Sequence, residues 1–147
     1  MTMTKLILKK ITISSKEGLS SEADLEARTE QGKSLLSLTT HELGTYQASG
    51  SNFFECFKQI RAELEKENWF ALCMGAAKNV YPSGMALEMS NGLKAYRLEL
   101  GKQGTLDDLV DIFEPAMIGE IGTIDEQRAY FASWIKSLQS NLTHPRK

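Results

Sequence analysis

The hydrophobic period of the chain changes at residue 52, and this change limits the folds that are open to it. Residues 5–46 are rich in β-formers and partly alternate between apolar and polar side chains, which predicts a meander of up to three antiparallel strands. Residues 52–67 instead carry one helical stripe, made by Phe53, Phe57, Ile60 and Leu64. Asn52 precedes the stripe at a favourable N-cap position. A sheet followed by an amphipathic helix is typical of an α+β fold.

Two further apolar segments predict strands, and a stretch rich in turn residues separates them. Residues 69–77 are apolar without helical spacing and predict a buried strand. Residues 93–100 alternate between apolar and polar side chains and predict another strand. Between them, Pro82 and Gly84 interrupt residues 78–92, so we expect a loop there.

The last third of the chain predicts two helices. One covers residues 105–113, with Thr105 at its cap and Pro115 beyond its end. The other covers residues 123–138 and begins at a capping box opened by Thr123.

These elements together predict an α+β fold, with a mostly antiparallel sheet of about five strands and about three helices packed on it. Neither an internal repeat nor a linker divides the sequence. We therefore expect a single domain over residues 1–147, with a frayed tail at residues 143–147.

The charge balance and the apolar pattern narrow the classes of function. The 147 residues include 17 basic and 19 acidic side chains, for a formal net charge of −2. A general nucleic-acid binder needs a basic excess for phosphate contacts, so we expect no nucleic-acid partner. No run of 18 apolar residues occurs, so we expect no membrane span. The absence of a secretory leader pattern predicts a cytoplasmic protein.

Few residues suggest catalysis. The sequence contains no phosphate-binding loop, no dinucleotide-binding glycine motif and no metalloprotease motif. We expect Cys56 and Cys73 to be small buried hydrophobic residues; the alternative is a nucleophile pair with His41 as the base. The second histidine, His144, lies in the tail, so we expect no metal site. Because no catalytic or cofactor-binding motif is present, we also expect no cofactor and no enzymatic activity.

A stretch of 25 residues, 103–127, carries seven acids without any lysine or arginine. These acids are Asp107, Asp108, Asp111, Glu114, Glu120, Asp125 and Glu126. One interpretation is a solvated face that also supplies favourable charges to helix N-termini. The other is a docking surface for a basic partner, since complementary charge speeds encounter. On the predicted helix, Asp107 or Asp108 would share a face with Asp111.

The segment 78–92 is a second candidate for binding. Lys78, Tyr81, Ser83 and Met85 lie on it between two predicted strands, as binding residues often do. The alternative is a structural crossover that tucks Met85, Leu87 and Met89 into the core.

Four runs in the centre of the chain carry a resemblance to a known group of proteins. They are Leu72–Met85, Lys94–Tyr96, Leu98–Lys102 and Asp108–Phe113. Over roughly residues 53–114 the chain resembles small bacterial proteins, many of them encoded beside polymorphic toxins of the contact-dependent-inhibition and Rhs type. In those systems the small partner is an immunity protein.

The resemblance implies a protein that binds a cognate toxin domain in the cytoplasm and covers its active site, without catalysis of its own. Because toxin nucleases are commonly basic, the acidic stretch would be the leading contact surface. An alternative is a small enzyme or ligand-binding protein that uses the 78–92 segment, with Cys73, His41 or Tyr81 nearby. A third possibility is a structural subunit of a larger assembly.

Overall fold

The first sheet contains five antiparallel strands and confirms the predicted α+β class. The computed structural model describes residues 6–143, and side chains only as far as residue 139. The strands are β1 (Leu6–Ser15), β2 (Ser20–Glu30), β3 (Lys33–Thr40), β4 (Gly44–Gly50) and β5 (Trp69–Ala71), in the spatial order β4-β3-β2-β1-β5. The predicted tail lies outside the described residues, apart from Thr143.

The meander has four strands, so the prediction of up to three is wrong. The predicted third strand is in fact β3 and β4, which are joined by a tight turn. The Thr40 hydroxyl accepts a hydrogen bond from the backbone N–H of Leu43 at 2.9 Å and donates to the carbonyl of Gly44 at 2.8 Å. A side chain that bonds to nearby backbone in this way makes a turn without proline.

Helix α1 (Phe53–Lys66) covers one face of this sheet, as predicted. The Asn52 side chain caps it by accepting a hydrogen bond from the backbone N–H of Glu55 at 2.9 Å. The stripe residues Phe57, Ile60 and Leu64 are fully buried, because they pack on the inward-facing side chains of the strands. The opposite face of the sheet is not covered by any described element, and apart from Ser14 its side chains are exposed or half-buried.

A second, smaller sheet contains three antiparallel strands in chain order. They are β6 (Val80–Tyr81), β7 (Lys94–Arg97) and β8 (Leu109–Asp111). Helices α2 (Gly84–Ser90) and α3 (Ile124–Thr143) pack on its strands. One hydrophobic core extends through both sheets, since Ile13 of β1, Phe57 of α1 and Ala95 of β7 belong to the same buried cluster.

Three predictions for residues 69–113 are wrong: the strand over 69–77, the loop over 78–92 and the helix over 105–113. The strand predicted over 69–77 ends at Ala71 and is followed by a 3₁₀ turn at Met74–Ala76. The segment 78–92 is not a loop, because it contains β6 and α2.

The helix predicted over 105–113 is a 3₁₀ turn at Leu106–Asp108 followed by β8. The apolar residues of this segment fit both the helical period and the strand period. Pairing with β7, in which Val110 lies opposite Ala95, makes residues 109–111 a strand. The predicted helix face shared by Asp107 or Asp108 with Asp111 therefore does not exist.

Helix α3 is attached to the second sheet by an aromatic stack. The rings of Tyr81 and Phe131 are stacked with centroids 4.2 Å apart, and Trp134 follows 6.0 Å beyond Phe131. On the other side, Phe54 of α1 meets Tyr81 edge-on at 5.4 Å. None of the helices within residues 6–143 combines the length and the apolar character needed to cross a bilayer.

Candidate functional site

Three of the seven predicted acids serve as local caps. The carboxylates of Asp108, Glu120 and Glu126 each accept a hydrogen bond from the backbone N–H three residues earlier, at 2.9, 2.8 and 2.8 Å. Such bonds satisfy backbone donors at the start of a helical turn. Substitution of these acids would therefore disturb local structure as well as surface charge.

The other four acids are available to solvent. Asp111 and Asp125 form only long, exposed ion pairs, each of 3.8 Å, with Lys94 and Arg128, and pairs of this kind contribute little to stability. Asp107 and Glu114 form no hydrogen bond or ion pair with any described side chain. These four carboxylates therefore contribute little to the internal structure of the protein.

The structure places six of the seven acids in two local settings, and the seventh, Asp111, lies apart from them in β8. Asp107 and Asp108 line a cavity of about 580 Å³ together with the basic residues Arg97 and Lys102 and with Tyr130. Glu114, Glu120, Asp125 and Glu126 belong to residues 114–126, which contain neither lysine nor arginine and which we call the acidic tip.

The acidic tip also exposes two large apolar side chains. Met117 is 76% exposed and Ile118 is 55% exposed, and both lie between Glu114 and Glu120 in sequence. Exposed apolar side chains with charged neighbours are typical of the centre and rim of a protein interface. Sequence reasoning missed Met117 and Ile118, because exposure cannot be read from an apolar residue in an irregular segment.

Glu65 of α1 adds a further carboxylate at the base of the acidic tip. Its carboxylate accepts a hydrogen bond from the backbone N–H of Ile124 at 3.0 Å. Burial raises the pKa of Glu65, and the nearby charges of Asp125 and Glu126 raise it further. Since Glu65 lies about 60 positions earlier in the chain, no sequence signal connected it to these acids.

A buried polar pair, Arg61 and Gln127, holds the acidic tip on the core. The Arg61 guanidinium donates to Gln127 Oε1 at 2.7 Å and to the carbonyls of Gly75 and Gly122, both at 3.2 Å. Burial lowers the pKa of Arg61 to about 10, although Glu65 opposes this shift. At neutral pH the guanidinium remains charged and fixes the backbone from which the tip projects.

The residues predicted on the 78–92 segment have mainly structural surroundings. Ser83 caps α2 by accepting a hydrogen bond from a backbone N–H at 3.0 Å, and Tyr81 lies within the aromatic stack. Lys78 is exposed, and its backbone N–H donates to the carbonyl of Glu120 in the acidic tip at 2.9 Å. Met85 is exposed, so the expectation that it enters the core is wrong.

Met89 is also exposed, and Leu87 is only partly buried, packing against the core. The alternative of a crossover filled by all three apolar side chains is therefore wrong for Met85 and Met89.

The cysteines are buried, as predicted, and the structure separates them from His41. Burial raises the pKa of Cys56 to about 11 and that of Cys73 to about 12, which opposes formation of a nucleophilic thiolate. His41 is exposed in the β3–β4 turn, whereas Cys73 follows β5 at the other edge of the sheet. Cys56 contacts the carbonyl of Ser34 at the far end of β3.

Within residues 6–143, no three histidine, cysteine or acidic side chains cluster in a way that could hold a metal ion. Comparisons with known proteins add no family: no protein-family model matches the chain, and no curated protein matches it.

Proposed function

We propose that this protein binds a basic protein domain and neutralises it by covering its active site, as an immunity protein does with a toxin domain. The observation that carries the proposal is the acidic tip, where Met117 and Ile118 are exposed among carboxylates. Apolar side chains of this kind supply contact energy once they are desolvated. The surrounding charges orient the partner and speed its approach.

The charge arrangement of the tip supports a basic partner. Residues 114–126 contain four acids and no basic residue, and Glu65 adds a fifth carboxylate at the base. A nuclease domain needs cations to hold its polyanionic substrate, so it presents the complementary charge. In this proposal the chain acts in the cytoplasm, where a delivered nuclease would act, and performs no chemistry of its own.

A genetic experiment tests the proposed function. The reading frame adjacent to this gene supplies the candidate partner, and its C-terminal domain is expressed with and without this chain. We expect growth arrest without the chain, growth with it, and a purified complex of the two proteins. Arrest that persists in the presence of well-expressed chain, with no complex formed, would contradict the proposal.

A binding experiment then tests the acidic tip. Glu114→Gln with Asp125→Asn removes two charges whose carboxylates accept no capping hydrogen bond. Asp125 does lie in the first turn of α3, so unfolding curves of the variant check that the fold is preserved. We expect the association rate at low salt to fall roughly two- to tenfold. The matched control, Glu17→Gln with Glu42→Gln, removes two exposed charges from turns of the first sheet. Equal rates for the two variants would move the contact surface away from the tip.

A further inference from the structure

The outer edge of β1 is unpaired over most of its length. β5 pairs with β1 only from Ile13 to Ser15, and the last hydrogen bond runs from the Leu72 N–H to the Thr12 carbonyl at 2.8 Å. The chain then turns away from β1, because Cys73 forms a bridge with Pro115. Within residues 6–143, no strand pairs with residues 6–11 on this side.

The backbone of this edge is directed outwards. The Thr12 carbonyl faces β5, and the direction of backbone groups repeats every second residue of a strand. The N–H and C=O groups of Leu8 and Lys10 therefore also face the open edge, whereas those of Ile7 and Lys9 bond to β2. An unpaired row of this kind is a template for an added strand.

The side chains along the edge are exposed and basic. Leu8 is 70% exposed on the uncovered face of the sheet, and Leu6 beside it is 52% exposed. Lys9 and Lys10 are also exposed, and Lys10 forms an exposed ion pair with Asp24 of β2 at 3.2 Å, which a partner can displace at little cost. Residues 1–16 carry four lysines without an acid. A second copy of β1 would bring like charges together, so the charge favours an acidic strand over self-pairing.

A cleft continues the edge where β5 leaves it. Its volume is about 150 Å³, and its lining includes the apolar residues Ile11, Leu72, Phe113 and Pro115. An apolar side chain of a strand paired with β1 would enter this cleft, since side chains of neighbouring strands lie side by side on each face. A strand that binds here should therefore carry an apolar side chain at the cleft as well as acidic side chains near the lysines.

From these observations we infer that the open edge of β1 binds an extended, acidic segment of another protein by strand addition. Backbone hydrogen bonds to Leu8 and Lys10 supply the pairing. Carboxylates of the segment face Lys9 and Lys10, and its apolar side chains cover Leu6 and Leu8. This surface meets the acidic tip only at the end of the cleft, where Pro115 belongs to both. Its backbone pairing groups and its lysines lie on β1, so loss of peptide binding and loss of toxin binding can be told apart.

Amide hydrogen exchange of the full chain, followed by nuclear magnetic resonance, tests the inference. The probe is a synthetic decapeptide of valine and glutamate that places valines opposite Leu6, Leu8 and Ile11 and glutamates opposite Lys9 and Lys10. The control peptide replaces each glutamate with lysine. Without peptide we expect rapid exchange at Leu8 and Lys10 but slow exchange at Ile7 and Lys9. With saturating valine–glutamate peptide, exchange at Leu8 and Lys10 should slow by about tenfold or more, whereas the lysine peptide should have no effect.

Three outcomes would overturn the inference. One is equal protection by the two peptides, or no protection by either. Another is slow exchange at Leu8 in the free chain at every concentration, because the edge would then be covered already. The third is protection that grows with protein concentration in the absence of peptide, which would identify a second copy as the occupant.

A pair of variants separates backbone pairing from side-chain contact. Leu8→Pro removes an N–H that faces the open edge, a position where proline is tolerated in strands, while Leu8→Thr keeps that N–H. We expect Leu8→Thr to retain most of the peptide affinity and Leu8→Pro to lose at least tenfold. Unfolding curves of both variants check the fold, and undiminished peptide binding by a folded Leu8→Pro protein would refute strand addition.

Discussion

Replacement of Gln127 with leucine should destabilise the protein strongly, although leucine has a similar size and is apolar. Gln127 is 1% exposed. Its amide nitrogen lies 2.8–2.9 Å from the carbonyl oxygens of Gly75, Ala77 and Val80, so its two N–H groups are shared among three acceptors. Its oxygen accepts a hydrogen bond from Arg61 at 2.7 Å. Leucine can form none of these bonds, so three buried carbonyls lose a donor and one buried cation loses an acceptor.

The magnitude follows from the buried groups that lose one hydrogen bond, although the Ala77 carbonyl keeps the backbone N–H of Val80 as a donor. A buried polar group that loses its hydrogen bond costs about 1–3 kcal/mol. Arg61 keeps its bonds to the carbonyls of Gly75 and Gly122, and leucine gains some apolar burial, so these costs are partly offset. We expect Gln127→Leu to lower the free energy of unfolding by about 3–5 kcal/mol, a large share of the 5–15 kcal/mol typical of a domain.

Urea unfolding followed by circular dichroism measures this loss, and Gln127→Glu identifies its cause. Glutamate would pair its charge with Arg61 but has no N–H for the three carbonyls, so we expect a loss of about 2–4 kcal/mol. Gln103→Leu, at an exposed position, should change stability by less than about 0.5 kcal/mol. A Gln127→Glu protein more stable than wild type would refute the reasoning, because the charge pair alone would then explain the site.

Two further predictions concern the core. In Gly75→Ala, the new methyl group would lie 2.7 Å from Ile112 Cβ and 3.0 Å from its carbonyl oxygen. Urea unfolding should therefore show a free energy of unfolding lower by about 1–3 kcal/mol. The control is Gly119→Ala, where a methyl group meets no atom within 4 Å. Stability should also fall as the pH rises from about 8 to 11, because the thiols of Cys56 and Cys73 ionise near pH 9 when unfolded but have pKa values of about 11 and 12 when folded. At pH 10 each thiol should cost about 1 kcal/mol, and an equal decline in a Cys56→Ala, Cys73→Ala double variant would contradict this account.

Features that depend on a few neighbouring residues could be predicted from the sequence. The Asn52 cap, the buried stripe of α1 and the capping box at Thr123 are local, and the structure contains all three. The presence of strands at the start of the chain could also be predicted, because side chains that alternate between apolar and polar indicate a strand with one buried face.

Features that depend on distant partners could not be predicted. Residues 109–111 have apolar spacing that fits a helix, and only the presence of β7 beside them makes them a strand. Gln127 lies in the first turns of the predicted helix over 123–138 and is polar, yet it is buried because Arg61 and three carbonyls surround it. The same limit applies to the candidate site, where Glu65 meets Asp125 and Glu126 only in the folded chain.

The topology of the first sheet has a consequence for the order of folding. β1 to β4 are neighbours in both sequence and space, so short turns close them at a small cost in loop entropy. β5 pairs Trp69 with Ser15 across more than fifty residues, and such distant contacts form late. During this interval the whole of β1 is an unpaired edge in a partly folded chain, the state in which strands from different molecules join. Lys9 and Lys10 place repelling charge on that edge, and so protect the nascent sheet from aggregation before β5 arrives.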